Sequence, residues 1–330
     1  GAAAAGADAN RGGVEGGRVL GADVQGMERF RAAFWKFLRP HTIRGTILGS
    51  SAVTLRAVLE NPAALADVSS LLPRAALGVL CLLCGNGYIV GINQIYDVEI
   101  DKVNKPFLPI AAGELSKATA WVLCAALAAA GLMLAHVNFG PVISGLYAFG
   151  LALGTVYSVP PFYLKRFPVL AFMIIATVRG FLLNFGVYCA ARAAMGLPFV
   201  WSPTILFATT FVTSFATVIA ISKDLPDIEG DKRAGIESFA VRLGAARMSY
   251  IAAGMLLALY GGAAALPYVL PGAFHGWMST WHLAICGFIA AAVANLRAAD
   301  WSQEAIKRFY AFIWKIFYCE YGLLAFFAPL

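Results

Sequence analysis

Apolar runs of about twenty residues recur along this chain, and that repetition limits its possible folds more than any other feature. A helix needs about 20 mostly apolar residues to cross a hydrocarbon core. About nine such runs are legible: 42–60, 74–93, 118–135, 139–158, 168–189, 203–222, 248–270, 278–296 and 309–329. Only helices or a closed barrel can cross lipid, and these runs are continuous rather than alternating, which leaves helices. The expected fold is therefore all-α, a polytopic bundle of about nine transmembrane helices around a central cavity. With 60% hydrophobic and 13% charged residues among 330, an ordinary soluble domain is excluded.

Charge placement orients the bundle. If the N-terminus lies on one side, side A, nearly all cations outside the spans gather there; the other side, side B, shows little beyond Arg56, Arg74 and Arg192. The positive-inside rule makes side A cytoplasmic or its organellar equivalent. The net charge of +7 thus reflects topology. No basic stripe interleaved with aromatics is present, so nucleic acid is not an expected partner; membrane lipid is.

Two acidic clusters close the second and sixth spans on side A. One reads Asn93-Gln-Ile-Tyr-Asp97-Val-Glu-Ile-Asp101-Lys102, the other Lys223-Asp224-Leu-Pro-Asp227-Ile-Glu229-Gly-Asp231-Lys232. Carboxylates at the edge of a bilayer are costly and mark function by default. Helical spacing puts Asn93, Asp97 and Asp101 on one face, with like charges about 6 Å apart that repel by roughly 3 kcal/mol per pair. A cation must offset that repulsion, and oxygen-only ligands favour a hard ion such as Mg²⁺. The expected metal ligands are Asp97, Asp101, Asp227 and Asp231, with Asn93 as a neutral oxygen and Asp224 as a ligand or neighbour of one. Glu99 and Glu229 point off those faces. Pro226 and Gly230 argue against a straight helix in the second cluster.

The four-helix period between the clusters suggests two halves that bring both to one mouth, around a diphosphate. Basic groups on the same side could pair with phosphate oxygens: Lys165 and Arg166 after Tyr157-Ser158-Val-Pro-Pro161, Arg39 and Arg44 flanking the first span, and Lys102, Lys105 and Lys223 beside the clusters. The competing reading for each is anchorage to lipid headgroups. His41 lies among the Arg39–Arg44 candidates. Arg179 lies several residues inside a span and should face the interior. Tyr157, Phe181, Phe185, Tyr188, Phe211 and Phe215 are candidates to face a reacting carbocation, although helix packing explains such aromatics equally well.

Residues 1–29 read as a disordered segment or targeting remnant, with 30–330 as the membrane domain. Phe30–Arg39 forms a short amphipathic stretch, and Pro40 suits a first helical turn. Cys81 and Cys84 read as small core filler, while His136, His275 and His282 read as interfacial.

These clusters resemble the two motifs of UbiA-type intramembrane aromatic prenyltransferases, N-x-x-x-D-x-x-x-D and D-x-x-x-D, carried here by Asn93/Asp97/Asp101 and Asp227/Asp231. The strings Phe37–Gly45, Asn93–Pro106 and Arg179–Tyr188, the last including Asn184, resemble plant and algal members that place a solanesyl chain on homogentisate. The resemblance implies Mg²⁺-dependent transfer from solanesyl diphosphate to homogentisate with loss of CO₂, toward plastoquinone, in a plastid envelope or inner membrane with side A facing the stroma. It also implies catalytic roles for the aspartates and Lys165, and diphosphate or aromatic-acid contacts for Arg39, His41, Arg44, Ser158, Arg179 and Asn184. Phytyl or geranylgeranyl transfer toward tocopherols is the nearest rival. A transporter and a quinone-binding protein are rivals from other classes, although neither needs two carboxylate sets at one mouth.

Overall fold

The computed structural model describes residues 12–233 and 238–329; the side chains of residues 12–24 and of His41, Asn104, Asp231 and Arg233 lie outside the described set. Among the described residues the architecture is helical, without a strand. In chain order the helices are α1 (Gly12–Phe37), α2 (Pro40–Leu59), α3 (Val68–Tyr96), α4 (Val98–Asn104), α5 (Lys117–Ser158), α6 (Pro168–Ile175), α7 (Leu183–Ala194), α8 (Pro203–Ser222), α9 (Ile228–Arg233), α10 (Phe239–Leu243), α11 (Ala245–Val269), α12 (Trp277–Ala298) and α13 (Gln303–Leu324). A π-helical turn, Ala176–Leu182, joins α6 to α7.

Among the described residues, six helical segments are long and apolar enough to cross a membrane: Pro62–Tyr96, Lys117–Ser158, Pro168–Ala194, Pro203–Asp227, Ala245–Val269 and Trp277–Ala298. At 42 residues, α5 would be about 63 Å long if straight, twice the roughly 30 Å hydrocarbon core. It breaks at Gly140, whose φ of 82° and ψ of −177° suit a residue without a Cβ, and Pro141 follows. α2 and α13 overlay two further expected spans but are less apolar than those six.

α1 begins well before the amphipathic stretch and runs through residues expected to be disordered. Residues 25–32 on it are exposed, and the helix is anchored at its C-terminal end, where Ala33 and Phe37 are buried. Pro40 opens α2 after Arg39, which adopts a left-handed conformation.

Two buried clusters organise the bundle. The larger joins α8, α11, α12 and α13 around Phe211, Phe215, Tyr260, Ile289 and Ile313. It also encloses His282, which is not interfacial as the sequence suggested. His282 is fully buried, with Nδ1 2.7 Å from the Met278 carbonyl and Nε2 3.0 Å from Glu320 of α13. The smaller cluster, including Phe37, Ile92, Ile95, Val98 and Cys124, lies under the first acidic motif and ties α1, α3, α4 and α5 together. Cys81 and Cys84 are free, buried thiols.

Candidate active site

The first acidic motif sits where α3 gives out. Asp97 leaves helical geometry (φ −100°, ψ 12°) and α4 starts at Val98, so the motif is a helix–break–helix rather than the single straight helix assumed from spacing. Two backbone bonds still bridge the break: Asp97 N–H donates to the Asn93 carbonyl at 3.0 Å, and Asp101 N–H to the Asp97 carbonyl at 2.7 Å. Both carboxylates consequently point inward, Asp97 at 9% and Asp101 at 4% exposure. Apolar Val98 faces the smaller cluster between them, which holds the break against the bundle.

Three other segments converge on these carboxylates. Lys165, in a short 3-10 turn after α5, donates to both oxygens of Asp97. Tyr163 of the same loop donates its hydroxyl to Asp97 at 3.4 Å, and its ring lies 4.8 Å from the Lys165 ammonium. Asn93 donates to Ser158 Oγ at 3.4 Å. From the α1–α2 turn, Arg39 Nη2 approaches Asp101 Oδ2 at 3.8 Å. That turn is fixed from below: Gln94 Nε2 donates to the Phe37 carbonyl at 2.8 Å, and Asn86 to Thr42 Oγ1 at 2.9 Å. Tyr157 is within electrostatic reach of Arg39.

Burial governs protonation here. It raises the pKa of Asp101, against the opposing influence of Arg39 and Lys105, and lowers those of Arg39 and Lys165 against the nearby carboxylates. Arg39 Nη2 and Asp101 Oδ2 are both buried without a hydrogen-bond partner. Such atoms are costly unless satisfied, and here one is a phosphate-type donor and the other a hard oxygen ligand. The donor set therefore fits a divalent ion with a diphosphate.

The second motif bends, as Pro226 requires. Leu225–Asp227 is a 3-10 turn held by α13, where Gln303 donates to the Pro226 carbonyl, and α9 follows. Asp227 and Lys223 are exposed and Asp224 is half-buried; the Asp231 side chain lies outside the described residues. Tyr310 of α13 is within electrostatic reach of Lys223, Asp224 and Asp227. Among the described residues no three His, Cys, Asp or Glu side chains form a metal-holding group on their own.

The remaining candidates divide. Lys102 is exposed and paired with Glu99 at 2.9 Å, and Glu229 pairs with Lys232 at 3.8 Å. Lys105 is exposed but bears electrostatically on Asp101. Arg166 points away, stacked 4.7 Å from the Phe167 ring. Arg179 occupies the π-helical turn, within electrostatic reach of Tyr318, Tyr321 and Arg39; Tyr318 is likewise within reach of Arg44. The His41 side chain lies outside the described residues. Asn184 is buried and committed internally, accepting from Tyr321 at 3.1 Å and donating to the Gly180 carbonyl. Most of the aromatic set is also occupied elsewhere. Phe211 and Phe215 are core, Tyr188 bonds Glu60 at the far end of α2, and Phe181 stacks on Phe185 at 5.1 Å near the surface. Sequence reasoning missed Tyr163 and Tyr318. Tyr163 was within reach, two residues before Lys165 in a loop already singled out, whereas nothing local marks Tyr318.

A helical membrane bundle with two acidic motifs, the first of them set among basic side chains, defines a class. The chain belongs to the UbiA prenyltransferase family, whose sequence model matches residues 57–316. It is 54% identical to homogentisate solanesyltransferase, chloroplastic, of Arabidopsis thaliana, over 90% of this chain and 77% of that one. It is 55% identical to a probable homogentisate phytyltransferase 2, chloroplastic, of Oryza sativa subsp. japonica, over 87% and 76%. Its fold matches a UbiA homologue from Archaeoglobus fulgidus solved with GPP and Mg²⁺, with a TM-score of 0.60 at 20% identity over 89% of this chain and 99% of that one. The protein is thus an integral membrane prenyltransferase.

Proposed function

We propose that this enzyme transfers a solanesyl group from solanesyl diphosphate to homogentisate, with loss of CO₂, giving 2-methyl-6-solanesyl-1,4-benzoquinol for plastoquinone synthesis. The observation that carries the reading is the buried Asp97–Asp101–Lys165–Arg39 cluster with its unsatisfied Asp101 oxygen and Arg39 nitrogen. The 54% identity to a homogentisate solanesyltransferase supports the choice of substrates.

Asp97, Asp101, Asp227 and Asp231 would hold Mg²⁺, with Asn93 and Asp224 alongside, and the ion supplies positive charge to the diphosphate oxygens. Lys165 and Arg39 donate to those oxygens as the allylic C–O bond breaks and its electron pair leaves with diphosphate. Lys105, Lys223 and Arg44 add positive potential at the mouth. The homogentisate ring carbon forms the new C–C bond. Its ring proton is lost, the side-chain CH₂ takes one up as CO₂ departs, and no net proton is released from the homogentisate anion. Arg179, with Tyr318 and Arg44 near it, and His41 are the groups proposed to hold the carboxylate.

In this reading the chain crosses the membrane nine times, with α5 counted twice at Gly140 and α2 and α13 included. Both motifs then meet at one mouth, facing the stroma from a plastid envelope membrane. The 55% identity to a probable homogentisate phytyltransferase favours one alternative, phytyl transfer. Purified protein offered homogentisate and Mg²⁺ with solanesyl, geranylgeranyl or phytyl diphosphate decides between them. Solanesyl diphosphate is expected to give the highest kcat/KM, and a preference for phytyl diphosphate would reverse the assignment.

A further inference from the structure

The three cations that depart from the charge bias, Arg56, Arg74 and Arg192, lie together at the end of the bundle away from the first acidic motif. α2 is continuous, so about 30 Å separate Arg39 at its start from Glu60 after its end. There a cavity of about 350 Å³ is lined by Arg56, Glu60, Tyr188, Arg192, Ser202 and Pro329. Arg56 is 5% and Arg192 9% exposed. Arg74 braces the loop behind it, donating to the Ala194 carbonyl at 2.9 Å.

The polar groups of this cavity are unequally satisfied. The Glu60 carboxylate accepts from Arg56 Nε at 3.1 Å, from Ser202 at 3.0 Å and from the Tyr188 hydroxyl. The terminal nitrogens of Arg56 donate to the carbonyls of Ala325, Ala328 and Pro329 at 3.2, 2.9 and 2.8 Å. Arg192 Nε donates to the Pro198 carbonyl at 2.7 Å, and the guanidinium lies 5.8 Å from the Tyr188 ring. Among the described residues, however, its terminal nitrogens have no hydrogen bond and no carboxylate in ion-pair range. Among the described residues Glu60 is the one carboxylate lining the cavity and it pairs with Arg56, so Arg192 adds a positive charge there without an ion-pair partner. Its terminal nitrogens remain open to the cavity, where a bound anion can accept from them.

The surroundings indicate which kind of anion. Phe199, Val200 and Trp201 precede the Ser202 wall, and Tyr268, Leu270 and Trp277 flank Gly272 and Ala273; all six are exposed. Aromatic collars of this kind sit at the membrane–water interface. We infer that the cavity binds the headgroup of an anionic lipid, its phosphate or sulfonate oxygens accepting from Arg192 while its chains lie on the collar. This inference is independent of the prenyl-transfer reading.

The test uses delipidated protein in neutral detergent, with thermal unfolding followed during titration with phosphatidylglycerol, phosphatidylcholine or inorganic phosphate. Phosphatidylglycerol is expected to raise Tm at concentrations where the other two do not. Arg192→Gln should weaken that effect about tenfold, and Arg74→Gln should leave it unchanged. Val200→Glu sets a repelling charge on the exposed rim without touching the core, so it keeps the test decisive if Arg192→Gln fails to fold; it too should weaken the effect. Equal protection by phosphatidylcholine, or parental behaviour in Val200→Glu, overturns the inference. Protection by free phosphate at the same concentration as lipid also overturns it, because a small-anion site needs no collar.

Discussion

At the residue scale, Asp97 does two things at once: it interrupts α3, and through that interruption it points inward beside Asp101. Lys165 and Arg39 supply compensating charge to the two carboxylates. Removing a metal-holding carboxylate should cost several kcal/mol of transition-state stabilisation. Asp97→Ala and Asp231→Ala are each expected to lower kcat by ~10²-fold or more at saturating substrates. Near-parental turnover in either variant, measured by quantifying prenylated quinol, removes that aspartate from the site. The residue types and their spacing were readable from the sequence. The roles of Tyr163 and Tyr318 were not, because each acquires its neighbours only when distant helices pack.

At the element scale, close helix contacts depend on small residues. A Cβ on Gly180 would fall 2.4 Å from the Thr213 Cα, a backbone atom that cannot step aside, where the π-helical turn crosses α8. Gly180→Ala should therefore destabilise by about 1–3 kcal/mol, read as a lower Tm. Gly186 has open space around the same position, so Gly186→Ala should be neutral or stabilising by up to ~1 kcal/mol. If the two substitutions have equal effects, the packing argument fails. The α12–α13 contact rests on the His282–Glu320 pair, with Glu320 Oε2 buried and unsatisfied. Glu320→Ala should lower Tm markedly, by about 3–5 kcal/mol of stability, whereas His282→Phe combined with Glu320→Leu should recover much of it. A double variant no better than the single one would contradict this. The sequence placed His282 near a span end, but the start of α12 is covered by Phe207, Phe274 and Phe327 from other segments, and these bury it.

At the scale of the whole molecule, the two ends of α2 carry different chemistry: the first acidic motif with Lys165 and Arg39 at one, and a cavity lined by Arg56 and Arg192 at the other. The proposed metal–diphosphate chemistry requires all activity to be divalent-dependent. Chelator should abolish turnover, and Mg²⁺ should restore it, followed by product formation in the same preparation. Full turnover in chelator would remove the metal from the reaction.

The sequence alone determined the helical membrane fold, the two acidic motifs and the family, because lipid admits few backbone solutions and hard-ion ligands come from few side chains. The tertiary structure decided which cations face those motifs, that the first motif is broken at Asp97, and that most of the candidate aromatics serve packing. It also gathered Arg56 and Arg192 into one cavity. Each of these depends on contacts between segments far apart in the chain, which neither periodicity nor local spacing encodes.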